Sequence, residues 1–301
     1  MPAMTTTSRP TSKSRDSVTQ QNASWSTTFP VELEIEKSSS TFAFRFIKCT
    51  TSFILDKRSL LSDTCFKTRT IEKLLVPCFK QDNVTAQRLS EKLDGLKAAI
   101  SSRYLKEFAV VFYRQPDEED VIEVYNFRLM YSEDGDVALS MDTGFGREED
   151  SQNLINAKFT SLEDTKKQFV DALKKLHRCM KGLENIPEDA DASFRISFTE
   201  GTPKDYMPKG FDGSSEFFHI DSRSVQLGIV CGGYHKVQML AASLLLKPGR
   251  VTEDLNKTSY SGNQSLVEAP TPKKATSKIS PKKKRIHPYG HTGSLERRNN
   301  V

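Results

Sequence analysis

Five histidines (His177, His219, His235, His287, His291) and five cysteines (Cys49, Cys65, Cys78, Cys179, Cys231) carry the side chains with which this 301-residue chain could hold a metal or attack a substrate. Their spacing supports neither. No HExxH and no ligand pair at helical spacing occurs in the central part of the chain, and no CxxC pair offers a zinc or redox site, so no metal is expected. His177 stands beside Arg178 in a helical pattern and reads as a surface or edge residue rather than a base. Gly144-Phe145-Gly146 and Cys231-Gly232-Gly233 lack both the Lys-Ser/Thr ending of a phosphate loop and the strand-to-helix setting of a dinucleotide fingerprint, and read as turns. The acidic group Asp117, Glu118, Glu119 and Asp120 falls in a predicted hairpin turn, where solvation accounts for it. Nothing assembles a nucleophile, a base and an oxyanion hole. The chain is therefore expected to be no enzyme and to use no cofactor.

The segment that stands out is a ligand rather than a site. Near the end of a polar, Lys- and Pro-rich tail, Ile286-His287-Pro288-Tyr289-Gly290-His291-Thr292-Gly293-Ser294-Leu295 forms an island of aromatic, apolar and turn-forming residues. Such tails bury too little apolar surface to offset chain entropy, so an island within one is a segment that orders on a partner. Tyr289 is the expected anchor, because a rigid amphipathic ring gives contact area at low entropy cost. Pro288 presets φ, and Gly290 permits close backbone approach. His287, Ser294 and Leu295 complete the candidate motif.

Charge concentrates in the same region. Residues 251–301 hold ten Lys/Arg against four Asp/Glu, so the preceding 250 residues sum to about −1 of the total +5. Lys282, Lys283, Lys284 and Arg285 are a candidate nuclear-localisation run or a loose phosphate contact. Thr271 and Ser280, each followed by proline, are candidate phosphorylation sites. The composition, 36% hydrophobic and 28% charged, is that of a soluble protein with a sizeable core. No apolar run approaches the roughly 20 residues that span a bilayer, and the first 28 residues contain no signal-peptide block, so an intracellular protein without membrane contact is expected.

Residues 1–37 are Ser/Thr-rich without apolar period and read as a flexible arm. Phe42, Phe46, Cys49 and Phe53, widened by Phe44, Ile47 and Ile54, predict a broadly buried helix over 40–58. A short helical segment is expected over 71–75, ending near Pro77, and a longer helix over 85–104 with Gly95 as its weak point. Residues 108–114 and 121–131 predict a β-hairpin, with Val121, Tyr125, Phe127, Leu129 and Tyr131 on one face. Residues 132–157 read as a loop. Ser161-x-x-Asp164 opens a helix whose face is Leu162, Phe169, Leu173, Leu176 and Met180, with Gly182 as its stop. Strands follow at Phe194, Ile196 and Phe198, over 224–230 and over 235–245. The sum, over 38–247, is an α+β domain with helices packed on a mainly antiparallel sheet, followed by a basic linker over 248–285 and the motif over 286–298.

In this order the residues resemble a HORMA domain, and within that family the meiotic chromosome-axis proteins; the short chain with a single tail motif holding His287-Pro288-Tyr289-Gly290 is similar to the nematode proteins of that group. The resemblance covers almost all of 38–245 and rests most specifically on Ile122-Glu123-Val124-Tyr125-Asn126-Phe127 and Asp205-Tyr206-Met207-Pro208-Lys209-Gly210-Phe211. The family's Arg-Gly-Phe/Ile-Phe-Pro turn after the first helix is here Ser59-Leu60-Leu61-Ser62-Asp63, and the zinc-binding module of some members is missing. The resemblance implies that the C-terminal part of the fold, the safety belt, pins a closure-motif peptide that adds as a strand. The belt would map to about 210–241, with Phe217, Phe218, Ile220, Val225, Leu227, Ile229 and Val237 as candidate contacts. It further implies a nuclear protein of the meiotic axis, acting in homologue pairing, synapsis and recombination control. Its partners would be closure motifs of related axis proteins, its own 286–298 by self-closure or head-to-tail assembly, an AAA+ remodelling ATPase that engages the N-terminal arm, and chromatin indirectly. Alternatives are a chromatin- or DNA-binding protein working through its basic tail, or a checkpoint or repair adaptor on the same fold.

Overall fold

Residues 36–57 carry more apolar side chains than one helix face can hold, and they form the central helix. In the computed structural model, α1 spans Glu36–Lys57 and buries Phe42, Phe44, Phe46, Ile47, Phe53 and Ile54 together with the small polar residues Ser39, Thr50 and Thr51. A helix buried nearly all round belongs at the centre of the layers. The structure describes residues 25–114, 120–132, 157–213, 224–245 and 295–296.

A 3₁₀ turn, Asp63–Cys65, leads into β1 (Phe66–Ile71) and β2 (Leu74–Phe79), an antiparallel pair that stands apart from the main sheet. The short helix expected over 71–75 is therefore the turn of this hairpin. Glu72 and Lys73 both take positive φ, 46° and 65°, and Ile71 pairs with Leu74 across them. Pro77 is tolerated opposite Thr68 because a two-stranded sheet leaves one side of each strand without a ladder partner.

The helix expected over 85–104 is broken at Gly95 into α2 (Val84–Asp94) and α3 (Leu96–Ser101). Asn83 caps α2 by accepting from the Ala86 amide at 3.0 Å. The glycine at this junction has a tertiary reason: a Cβ on residue 95 would lie 2.1 Å from the Lys209 carbonyl oxygen. The irregular block 202–211 thus lies against this junction, with Lys92 over the Phe211 ring at 5.5 Å and Tyr206 edge-on to Tyr104 at 4.8 Å.

β3 (Leu105–Arg114) and β4 (Val121–Tyr131) form the expected hairpin. A register shift between Phe112 and Tyr113 moves Val121 off the face assigned from alternation alone. It packs instead with Ala109, Val111 and Val124 in a separate apolar cluster. α4 (Leu162–Lys181) starts as predicted, the Asp164 amide donating to Ser161 Oγ at 3.1 Å. β5 (Ala190–Phe198), β6 (Val225–Cys231) and β7 (His235–Ser243) complete the main sheet with a two-residue β8, Leu295–Glu296. Its order is β6-β7-β4-β3-β5-β8, antiparallel throughout except for the parallel pair β5–β8.

The arm expected over 1–37 joins the domain from residue 25 onward. Trp25, Phe29 and Leu33 are 1%, 1% and 0% exposed. Trp25 lies 4.7 Å from Phe29, 6.0 Å from Phe42 and 5.6 Å from Phe169, joining α1 to α4. Apolar residues four apart, which periodicity over so short a stretch does not distinguish from a polar arm, here wedge a segment into the core.

Candidate functional site

The main sheet has β6 at one edge and the short β8 at the other. β5 is flanked by β3 on one side, and on the other its backbone pairs with the chain's own tail, Ile196 opposite Leu295 and Ser197 opposite Glu296. β5 is a firm template for such a strand: Phe194 and Ile196 are in the core, Ile196 with no exposure. The polar alternates face the other way, with Arg195 Nε donating to Ser193 Oγ at 3.2 Å. Of the candidate motif, Leu295 alone is placed, by its backbone; His287, Pro288, Tyr289, Gly290 and Ser294 lie outside the described residues, as do Lys282, Lys283, Lys284, Arg285, Thr271 and Ser280.

The opposite edge is made by β6, whose partner is β7. The belt candidates divide three ways. Leu227 and Val237 are fully buried core residues, Leu227 on the strand that packs on α4. Close packing there is visible at Gly228, where a Cβ would come 3.1 Å from the Ala172 Cβ. Val225 and Ile229 are half-buried on β6, while Phe217, Phe218 and Ile220 lie outside the described residues. Four strands separate β6 from β8, so at about 4.8 Å per strand their axes are roughly 24 Å apart. Val225, Leu227, Ile229 and Val237 therefore do not reach the Leu295–Glu296 strand.

The hairpin β6–β7 is held from beneath by the N-terminal segment. Gly232 and Gly233 form its turn, as expected from sequence; a Cβ on the first would lie 2.4 Å from the Phe42 ring and one on the second 2.1 Å from the Leu33 carbonyl oxygen. Ser39 Oγ lies 2.8 Å from His235 Nδ1 and accepts from the His235 amide at 3.0 Å. Thr165 Oγ1 donates to the Cys231 carbonyl at 2.6 Å. Burial holds His235 down to about 4, with Arg103 adding to the effect and the Ile100 carbonyl and Glu36 opposing it, so the ring is neutral at pH 7. No spacing pattern announces this network, because its members are 196 residues apart in sequence.

A buried ion pair fixes the other end of the sheet. Arg58, just past α1, donates to Glu123 through Nε at 3.0 Å and Nη2 at 2.5 Å, and to the Glu184 carbonyl at 2.7 Å. The Tyr125 hydroxyl donates to the same carboxylate at 3.0 Å. Desolvation pushes the Glu123 carboxyl up, and Arg58 and the hydroxyl of Tyr125 pull it back. Burial pushes Cys179 and Cys231 each up to about 11, whereas the half-buried Cys78 thiol is held below its ordinary value by a hydrogen bond with Cys49, with Arg69 and Lys67 adding to the effect. His177 is half-buried at an edge, its ring edge-on to Phe53 at 6.1 Å.

The HORMA domain family model matches residues 39–235. HORMA domain-containing protein 1 of Rattus norvegicus is 27% identical over 218 residues, covering 70% of this chain and 53% of that protein. HORMA domain-containing protein 2 of Mus musculus is 27% identical over 225 residues, covering 72% and 71%. This chain thus spans about half the length of the first of these curated relatives. The solved structure of C. elegans HTP-1 bound to the HIM-3 closure motif superposes with a TM-score of 0.69 at 27% identity, covering 74% of this chain and 98% of the other. That of C. elegans HTP-2 bound to HTP-3 closure motif 1 gives 0.68 at 27% identity, covering 74% and 93%. With two thirds of its length matched and the α+β fold in common with solved members, the chain belongs to the HORMA-domain family.

Proposed function

We propose that this chain is a non-enzymatic component of the meiotic chromosome axis that captures closure-motif peptides along the outer edge of β5 and offers its own residues 286–298 as such a motif. The observation that carries the reading is the parallel pairing of Leu295–Glu296 with β5. A strand added there gains backbone hydrogen bonds at an edge that has no other strand partner among the described residues. The similar HTP-1 and HTP-2 structures are themselves complexes with closure motifs, which supports the same use of the fold here.

Self-capture competes with capture of a neighbour. A flexible chain as long as segment 248–285 would have a root-mean-square span of roughly 35 Å, whereas a domain of this size has a radius of gyration near 17 Å. The tail reaches its own β5, and effective concentrations approach the millimolar range. A neighbour wins when local concentration on an axis is comparable, which would build head-to-tail assemblies.

The packing of the N-terminal segment supports a role for an AAA+ remodeller. Residues 25–35 pack against the β6–β7 turn through Leu33 and Gly233, so drawing out the N-terminus removes the support of the hairpin that ends the belt. Nuclear residence would rest on residues 282–285, with chromatin contact through the same basic run.

The test is a pull-down of the chain ending at residue 247, with its N-terminus intact, on immobilised peptide 284–298, wild type and Tyr289→Ala. The wild-type peptide binds and the variant binds at least tenfold more weakly. Equal binding of both peptides, or of neither, ends the closure-motif assignment. If instead binding of the full chain to DNA falls steeply with salt and vanishes on deleting 271–285, the basic tail is the working part.

A further inference from the structure

On the helix side of the domain three elements meet around a small apolar cleft. Phe53 and Lys57 come from α1, Leu74 to Val76 from β2, and Leu173 and His177 from α4. Leu75 stands at its mouth, 37% exposed between the buried Leu74 and Val76. A lone exposed leucine is ordinary; one at the mouth of a cleft with aliphatic walls and an aromatic floor is a contact in waiting.

The surroundings are cationic. Lys57 lies over the Phe53 ring at 5.7 Å, with Asp56 bonded to its ammonium at 2.9 Å. Lys181, one turn beyond His177, is exposed, and so are Arg178 on the same helix and Lys73 at the β1–β2 turn. Lys181 and Lys57 both stand close enough to His177 to disfavour its protonation, after burial as the main cause. Of the acidic groups nearby, Asp56 is taken up by Lys57, and Glu72 faces Lys166 at 3.8 Å.

We infer that this cleft is a second peptide-docking site, separate from the β5 edge, for an acidic segment that carries an aliphatic or aromatic anchor. The anchor enters between Leu75, Leu173 and Phe53, and the flanking carboxylates meet Lys57, Lys181 and Lys73. Charge complementarity selects an acidic partner and steers its approach. The apolar walls select a peptide over a nucleic acid, whose phosphates would need the lysines and leave Leu75 unused.

The experiment pans a random 12-residue peptide display library against the full chain, with free peptide 284–298 in excess so that the β5 edge is occupied. Enriched peptides are synthesised with a fluorophore and titrated by polarisation against the wild type, Leu75→Ser, and the double variant Lys57→Glu with Lys181→Glu. Thermal melts establish that each variant is folded, and all three substituted side chains are exposed enough to leave the core intact. The expected peptides are net negative, contain an apolar anchor, and lose at least fivefold in affinity, about 1 kcal/mol, on either variant. Enrichment of no peptide, or of peptides indifferent to both variants, overturns the site. So does a labelled 20-nucleotide single strand that binds as tightly and responds only to the lysine changes, since charge alone would then explain the surface.

Discussion

A Cβ on residue 233 would lie 2.1 Å from the carbonyl oxygen of Leu33, so the turn between β6 and β7 and the N-terminal segment are packed backbone to backbone. Gly233 also holds φ at +79°, where an L side chain is strained. Gly233→Ala is expected to cost about 2–4 kcal/mol, as strain and a backbone clash combine. Urea unfolding of the chain reads this as a lower midpoint at unchanged slope. An unchanged midpoint would mean that the segment carrying Leu33 moves aside without loss.

Trp25 tests whether that segment is core. Its ring packs on Phe29, Phe42 and Phe169 and its Nε1 donates to the Pro30 carbonyl at 3.1 Å. Trp25→Ala should destabilise the domain by about 3–5 kcal/mol, the usual cost of truncating a buried large aromatic. A loss under about 1 kcal/mol in denaturant titration would return residues 25–35 to the status of an arm.

Removing one side of the buried ion pair strands the other. Arg58→Ala leaves Glu123, which has no exposed side-chain surface, without its cation, and about 3–5 kcal/mol of stability should go. Arg58→Met together with Glu123→Gln removes the charge on both sides and keeps an acceptor for Tyr125. The double variant is therefore expected to be more stable than Arg58→Ala, and an equal or larger loss would contradict the pairing as the source of the effect.

His235 makes stability depend on pH. Its pKa in the fold is about 4, below the ordinary 6.5. The unfolded chain binds the proton between these values and the folded chain does not, so stability is full above about 6.5 and is lost as pH falls toward 4. Between pH 6.5 and 5 the loss from this group is about 1.6 kcal/mol. Melting curves across that window should fall steeply for the wild type and much less for His235→Asn; parallel curves would assign the acid sensitivity to other groups.

Backbone pairing at the β5 edge predicts which chemical change a bound tail peptide will not tolerate. In a parallel pair of two residues, one contributes both its N–H and its carbonyl to the neighbouring strand. N-methylation of peptide 284–298 at Leu295 or at Glu296, each in turn, should therefore weaken binding at least tenfold at one of the two positions. Full affinity for both methylated peptides in fluorescence polarisation would mean that side chains alone hold the tail.

Much of the fold was legible because its signals are local. The period of Phe42, Phe46, Cys49 and Phe53 gives α1, the alternation after residue 107 gives the central hairpin, and Ser161 with Asp164 gives the start of α4. Gly95 was visible as a weak point, but not the reason a side chain is barred there, since the atom it would meet belongs to Lys209, more than a hundred residues on. The turn at Glu72 and Lys73 hid in a helical-looking run because neither residue is a glycine, although both take positive φ.

The sequence by itself determined the class of domain, its helical and strand periods, the polar basic tail and the island within it, because each depends on neighbours a few positions apart. Tertiary structure alone decided three things. It put Trp25, Phe29 and Leu33 inside the domain, because burial depends on what α1 and α4 leave open rather than on the composition of the segment. It separated the belt candidates, burying Leu227 and Val237 in the core and setting three strands between β6 and β5, because sheet order is not written in strand sequence. And it assembled Arg58 with Glu123, and Ser39 with His235, because charges and hydroxyls that are unremarkable along the chain acquire their energy from being desolvated together.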